Sequence, residues 1–410
     1  MKDVSPRMRR VLPESFLALA TGGGGTRVMA ELKAAQFDKH RVLLAAVVQI
    51  SQRRRDVADA YALLADLEDA TPRAVHDVVG YPAVGMWAAQ VLRQEADPGR
   101  MSAVALAAAF RAGQECRLPV TAHDGWVTLP SLGGFPARGT RLVGVGGEGV
   151  LADGRPVTGW QAVTRIESGD QSMVIDDLDP YRWVGDLTRL DGGDTWSRLL
   201  SEAWRLLIER HQTSWEEIRT GIGMLTPISA PAGRPRSESS KYAFGAIALS
   251  RPADAVSLAE TLVHETQHVK FHALNDLVRL VEPGHQGRYY APWRPDPRPA
   301  LGLLNGTYAF LGVTGFWRRM RHAADERCAH RAEVEFAQWR EAVYEAACLL
   351  LSGSALTPAG AEFAEGMAGT LRRWIDEPVE SWALARAREM QAARRAAWER
   401  RNDRSAQAAG

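Results

Sequence analysis

Apolar residues recur at three- and four-residue intervals along most of this chain, the spacing that lines one face of an α-helix. Residues 14–20 read as a short amphipathic helix, broken by Thr21-Gly22-Gly23-Gly24-Gly25-Thr26. Helical spacing resumes over 28–48, 57–67, 84–92 and 103–112, so 1–116 reads as a helical N-terminal scaffold. The glycine run lacks the Gly-Lys-Ser/Thr ending of a phosphate loop and follows no strand, so it reads as a flexible connection between helices. Near residue 117 the pattern changes to short alternating runs, such as Gly125-Trp126-Val127-Thr128-Leu129 and Thr140-Arg141-Leu142-Val143-Gly144-Val145. Ala152-Asp153-Gly154-Arg155 is a hairpin turn signal. Residues 117–190 therefore read as a small β-rich segment. Its acidic trio Asp176, Asp177 and Asp179 lacks the glycine and distal glutamate of a calcium loop and reads as a polar loop.

Helical spacing returns from Thr195 to about Ile218, and 242–249 reads as a strand. Asp254 is an N-cap candidate for a long helix over 255–281, stopped by Pro283-Gly284. Further helices are expected over 302–320 and 328–351, with a charged helix from 379 to 404 and a frayed end at 405–410. The expected fold is mostly α: a helical scaffold, a small β-rich middle segment and a long metal-bearing helix preceded by a strand, a zincin-like local arrangement. The expected divisions are 1–116, 117–190, a metal-binding helical domain over 191–378, and a charged C-terminal helix and tail over 379–410.

Composition narrows the possibilities. The 410 residues suffice for two or three domains, and 46% hydrophobic with 24% charged residues is ordinary for a globular protein. Fifty basic residues nearly cancel 49 acidic ones, for a net charge of +1. That balance argues against nucleic acid or an anionic membrane as partner. Three cysteines without a Cys-x-x-Cys pair are neither a disulfide framework nor a zinc ribbon. Lys2, Arg7, Arg9 and Arg10 precede no apolar signal core, and no apolar run is long enough to span a bilayer, so a cytoplasmic location is expected. Thirteen tryptophans suit either broad helix packing or a peptide groove.

The candidate chemistry lies in His264-Glu265-Thr266-Gln267-His268. Residues four apart share one helix face, so both imidazoles can reach one divalent ion. Glu265, one residue on, can hold a metal-bound water or orient a ligand. Leu258, Leu262, Val269 and Leu277 supply apolar packing around the motif. A strand before such a helix is how zinc peptidases hold an extended substrate, by adding it to a sheet edge. The third ligand stays unassigned. His272 continues the four-residue series but stretches the site, and Glu282 is about 21 Å beyond His268 on a straight helix. Helix 302–320 offers only Asn305 and Tyr308, and Glu333 and Glu335 follow on the next helix.

Several blocks together resemble the bacterial HExxH-type peptide-modification proteins. They are Phe244-Gly245-Ala246-Ile247-Ala248-Leu249-Ser250, Leu262 through His268, Tyr290-Ala291-Pro292-Trp293-Arg294-Pro295-Asp296-Pro297-Arg298-Pro299, Gly306-Thr307-Tyr308-Ala309-Phe310, Phe316-Trp317-Arg318 and Leu356-Thr357-Pro358-Ala359-Gly360. Members of that family accompany ribosomally made peptide natural products, and some are described as iron- and 2-oxoglutarate-dependent β-hydroxylases. The resemblance implies Fe(II) at His264 and His268, 2-oxoglutarate as cosubstrate, and a precursor peptide as substrate, with other peptide-maturation enzymes as partners. It makes Arg294 and Arg298 candidates for the distal carboxylate of 2-oxoglutarate, since a guanidinium fork pairs two-to-two with a carboxylate. Arginine in a Pro-rich loop also pairs structurally with a neighbouring acid, here Asp296. In that family the position of Asn305 is often His, so this chain departs where an iron ligand could sit. Two other readings stand beside the hydroxylase: a zinc metallopeptidase with Glu265 as general base, and a non-catalytic protein that binds a precursor peptide or its maturase.

Overall fold

Helical periodicity resolves into helices over 57% of the chain, and strands make up 15%, in several small sheets. The computed structural model describes residues 10–147, 149–185, 187–231, 234–323 and 325–408. The basic stretch containing Lys2, Arg7 and Arg9 lies outside the described residues. The helices are α1 (Pro13–Ala20), α2 (Gly25–Ile50), α3 (Arg55–Ala70), α4 (Pro72–Val79), α5 (Pro82–Leu92), α6 (Met101–Ala112), α7 (Gly193–Arg210), α8 (Gln212–Gly221), α9 (Ala255–Leu277), α10 (Ala300–Met320), α11 (Glu326–Leu351), α12 (Pro358–Ile375) and α13 (Ser381–Ala408). Their starts follow local chemistry. Proline occupies the first turn of α1, α4, α5 and α12, where its missing N–H costs nothing. Asp254 caps α9 by accepting from the Ser257 N–H at 2.7 Å, and Asp325 caps α11 through the Cys328 N–H at 2.7 Å. No helix among the described residues is long and apolar enough to cross a membrane.

The chain forms two compact units that interleave along the sequence. The first gathers Lys33–Arg198 and Ile222–Pro252; the second gathers the described chain up to Leu32, Leu199–Gly221 and Ala253 onward. In the first unit, α3 and α4 pack on the apolar helix α6, beside the β-rich segment. The strand Cys116–Thr121 pairs antiparallel with Thr140–Gly146, which continues to Gly149–Ala152. Asp153 and Gly154, with φ of +52° and +80°, make the expected hairpin turn, and Ala152 pairs with Arg155.

A five-stranded sheet runs in the order Ser237–Glu238, Ala246–Leu249, Met224–Pro227, Gln171–Ile175, Thr164–Ser168. It corrects one expectation. Pairing in the 242–249 segment begins only at Ala246, after the left-handed Gly245, and all four strand residues are buried. Met224–Pro227 lies parallel along its whole length, and Ser237–Glu238 covers Ala248 and Leu249 on the other side. This strand has no full free edge to receive a peptide. The acidic trio is likewise structural. Asp176 accepts the N–H groups of Leu178 and Asp179 at 3.0 and 2.9 Å and the Tyr81 hydroxyl at 2.6 Å. Asp179 pairs with Arg100, and Asp177 accepts the Leu190 N–H at 2.8 Å.

In the second unit α10 packs against both α9 and α11, α12 packs against α11 and α1, and α13 lies on α11. α9 ends at Leu277, four residues before the expected 281. The chain then extends, with Val278 at φ −134°, and pairs with the segment that enters α12. Glu282 N–H donates to the Ala355 carbonyl at 2.9 Å, and Thr357 N–H to the Leu280 carbonyl at 3.2 Å. The last helix, expected to stop at 404, runs on to Ala408.

Candidate metal centre

The i, i+4 spacing brings the two imidazoles of α9 together as the sequence requires. His264 Nε2 and His268 Nε2 are 3.2 Å apart, with the rings nearly perpendicular at 84°. Two nitrogens that each sit about 2.0–2.1 Å from one ion are separated by roughly 2.9–3.4 Å, so the pair is spaced for a shared cation. Asn305 on α10 fixes the orientation. His268 Nδ1 lies 2.8 Å from Asn305 Oδ1. A carboxamide oxygen only accepts, so Nδ1 carries the proton of this bond and Nε2 is the nitrogen turned toward His264. This outer hydrogen bond is the usual device for orienting a ligating histidine. Phe310 meets His264 edge to face at 5.2 Å. Burial, and then the neighbouring His268, push the His264 pKa well below the ordinary histidine value, which keeps the ring in its neutral, metal-binding form. Glu265 is buried, with Oε1 4.0 Å from His264 Nε2, a gap that one bridging water can span.

The other side of α9 is anchored by charge. Lys270 Nζ pairs with Glu217 Oε1 of α8 at 2.9 Å, and both side chains are buried. The same Glu217 oxygen accepts the Gly25 N–H at 3.2 Å. The Gly22 carbonyl accepts from Lys270 Nζ at 3.2 Å and from Gln267 Nε2 at 3.0 Å. The glycine run is thus a helix connection as expected, but it is pinned rather than loose. Gly22 (φ +86°) takes a left-handed conformation, and a Cβ there would lie 2.9 Å from Leu311.

The remaining candidates are spoken for. Arg294 Nε and Arg298 Nη1 each lie 3.1 Å from a different oxygen of Asp296, the structural pairing available to a Pro-rich loop. Tyr308 is fully buried on the Lys270 side, its ring 5.5 Å from Nζ. His272 stacks beyond His268, with ring centroids 6.5 Å apart. Glu282 sits past the end of α9. Glu333 accepts from Arg321 at 2.9 Å, and Glu335 from Gln338 and Trp339 at 2.7 and 2.9 Å. Among the described residues no cluster of three or more His, Cys, Asp or Glu side chains is arranged to hold a metal. The two imidazoles therefore stand as a pair, with Asn305 hydrogen-bonded behind His268.

Sequence reasoning named Asn305 but not its task, and it missed the aromatic wall beside the histidines. Trp293 stacks on Phe310 at 4.8 Å and 16°, and Phe310 meets Trp339 at 4.3 Å. Gly306 makes this possible, since a Cβ there would lie 2.4 Å from the Trp293 indole nitrogen. The Pro-Trp-Arg block and the Gly-Thr-Tyr-Ala-Phe block are thus two halves of one packed wall. No known protein family matches the chain, and no curated protein sequence matches it.

Proposed function

We propose that the protein is a metal-dependent peptide-modifying enzyme, an iron- and 2-oxoglutarate-dependent hydroxylase acting on a ribosomally made precursor peptide. The observation that carries the metal reading is the 3.2 Å convergence of two imidazole nitrogens, one ring oriented by Asn305. Histidine nitrogens with open positions beside them suit ferrous iron. The two-histidine set departs from the commoner set that adds a carboxylate, so cosubstrate and water would complete the coordination. Iron with 2-oxoglutarate supplies oxygen insertion: one atom of O₂ enters a peptide C–H bond as hydroxyl, and the other leaves in succinate as CO₂ is released.

The chain's own residues have definable tasks. His264 and His268 would hold the ion, and Asn305 would keep His268 in its ligating tautomer. Glu265 would accept a hydrogen bond from a water beside His264. Phe310 and Trp293 would exclude bulk water from one side of the site. Arg294 and Arg298 would receive the distal carboxylate of 2-oxoglutarate by exchange with Asp296, one carboxylate replacing another on the same two guanidinium groups.

The test starts from protein purified without oxygen and loaded with Fe(II). With 2-oxoglutarate and a candidate peptide, a mass gain of one oxygen is expected, matched by succinate. Peptide cleavage with zinc bound would replace this reading by the metallopeptidase, with Glu265 as general base. Binding of peptide without turnover would leave the non-catalytic partner. His264→Ala should abolish metal binding while circular dichroism stays unchanged; unaltered metal content would refute the centre.

A further inference from the structure

A cleft of about 830 Å³ opens on the far side of the aromatic wall, bounded by the 290–295 segment, α10, α11 and α13. That is near the top of the roughly 300–1,000 Å³ usual for ligand clefts. Its apolar surfaces are Tyr290, Trp293, Phe310, Trp339 and Trp398. Its charges are Arg294, Arg394, Arg400 and Arg401, and among the described residues no carboxylate lines it. Arg294 is balanced by Asp296. Arg394 lies over the Trp339 ring at 4.8 Å and donates to the neutral Gln338 Oε1 at 3.0 Å. Arg400 is exposed, and no ion pair to it is present among the described residues.

The wall is built to stay in place. Trp398 packs edge-on against Tyr290 at 5.3 Å, and Asn402 Nδ2 donates to the Pro295 carbonyl at 3.2 Å. Gln391 Nε2 donates to the Gln338 carbonyl at 2.7 Å. Helix α13 is thereby held along the cleft, which explains why a helix so rich in arginine packs here at all. The Arg394 guanidinium lies over the Trp339 ring and that of Arg395 over the Tyr290 ring, at 4.5 Å.

We propose that this cleft binds an acidic peptide segment, its carboxylates on Arg394, Arg400 and Arg401 and its apolar side chains against Trp293, Phe310 and Trp339. The spacing of the charges selects this occupant. Arg394 and Arg401 are seven residues apart on one helix face, about 10.5 Å along the axis. One phosphate cannot bridge that span, whereas a polyproline-II chain, with three residues and about 9.3 Å per turn, nearly covers it and returns to the same face. Acidic residues three apart with apolar residues between them match the cations and the aromatic floor together. A nucleic acid would present similar charge and stacking, but the chain as a whole carries only +1 and lacks the broad positive field such partners use. Phe310 lines the cleft and also meets His264 edge to face, so one ring joins the cleft to the histidine pair. The inference gives the proposed peptide substrate its charge and rests on that reading for its catalytic consequence, while binding itself depends on the cleft alone.

The experiment uses the full chain without metal, titrated by calorimetry with a peptide built on the repeat Glu-Leu-Phe, with its Lys-Leu-Phe counterpart, and with oligothymidylate. Binding of the acidic peptide alone is expected, weakening as salt rises. The double variant Arg394→Gln with Arg400→Gln should lose about tenfold or more in affinity. Equal binding of both peptides, tighter binding of oligothymidylate, or salt-independent affinity for the acidic peptide would overturn the proposal. The last three readouts need only the wild-type chain, so a misfolded variant does not blunt the test. Metal content, measured separately, shows whether the centre stands when the cleft inference falls.

Discussion

Asn305 and His268 make one hydrogen bond on which the proposed ligating geometry depends. Removing an outer-shell partner of this kind typically weakens metal affinity about 10–100-fold. Asn305→Ala should do so without loss of fold, read by competition with a chelator, and Asn305→Asp should keep most of the affinity because an oxygen still faces Nδ1. His211 illustrates a different residue-scale effect. It is buried, stacked on Phe316 at 4.4 Å, and neither ring nitrogen has a hydrogen-bond partner. Burial, then Arg319 and Arg210, lower its pKa to about 3. The unfolded imidazole takes up a proton near its ordinary value of about 6.5, so between that pH and about 3 the unfolded state binds more protons. Stability is therefore present above about 6.5 and falls as the pH drops, by at most about 1.4 kcal/mol per pH unit from this residue. His40, lowered to about 4 by burial, adds in the same direction. His211→Leu should flatten the fall in urea midpoint between pH 7 and pH 5; an unchanged fall would show that this ring does not carry it.

Among elements, the long periodic helices were readable because one apolar stripe decides both their period and their packing. Helix α12 was not, although its sequence lies between two readable segments. Gly360, Gly366 and Gly369 lower its intrinsic helix propensity, and tertiary contact supplies the reason for two of them. A Cβ at Gly360 would lie 1.8 Å from the Leu280 carbonyl oxygen, and one at Gly366 would lie 2.7 Å from the Ala20 side chain. The Leu-Thr-Pro-Ala-Gly block is thus a helix start: Thr357 accepts the Gly360 N–H at 3.0 Å, Pro358 opens the first turn, and Gly360 admits the backbone just past α9. Gly360→Ala should cost several kcal/mol, in the range of about 3 or more for a backbone clash that cannot relax. A thermal melt reads it, and Ala361→Gly serves as the control for propensity alone. The meeting of His264 and His268 was equally readable from their i, i+4 spacing. The role of Asn305, 37 residues away, has no such signal, because only the packing of α10 on α9 aims its amide.

At the scale of the whole molecule the texture change near residue 117 was visible, since alternation replaces helical spacing there. The makeup of the five-stranded sheet could not be read from chain order. It takes Gln171–Ile175 and Thr164–Ser168 from the β-rich segment, but completes itself with Met224–Pro227 and Ala246–Leu249 from beyond α7 and α8. A chain ending at residue 190 leaves the Gln171–Ile175 edge without its parallel neighbour. It is expected to be insoluble or unfolded, whereas one extended to 252 recovers that sheet; solubility and far-ultraviolet dichroism distinguish the two. Equal solubility of both would show that the late strands are dispensable.

The packing of α1 on α12 has a consequence for synthesis. Phe16 meets Phe363 at 5.8 Å, yet α12 begins only at Pro358. At about 5–20 residues per second, a ribosome needs roughly 20–70 s to travel from one partner to the other. During that interval the apolar side of the first helix has no native surface to settle on, which makes the emerging N-terminal segment a natural client for holding chaperones.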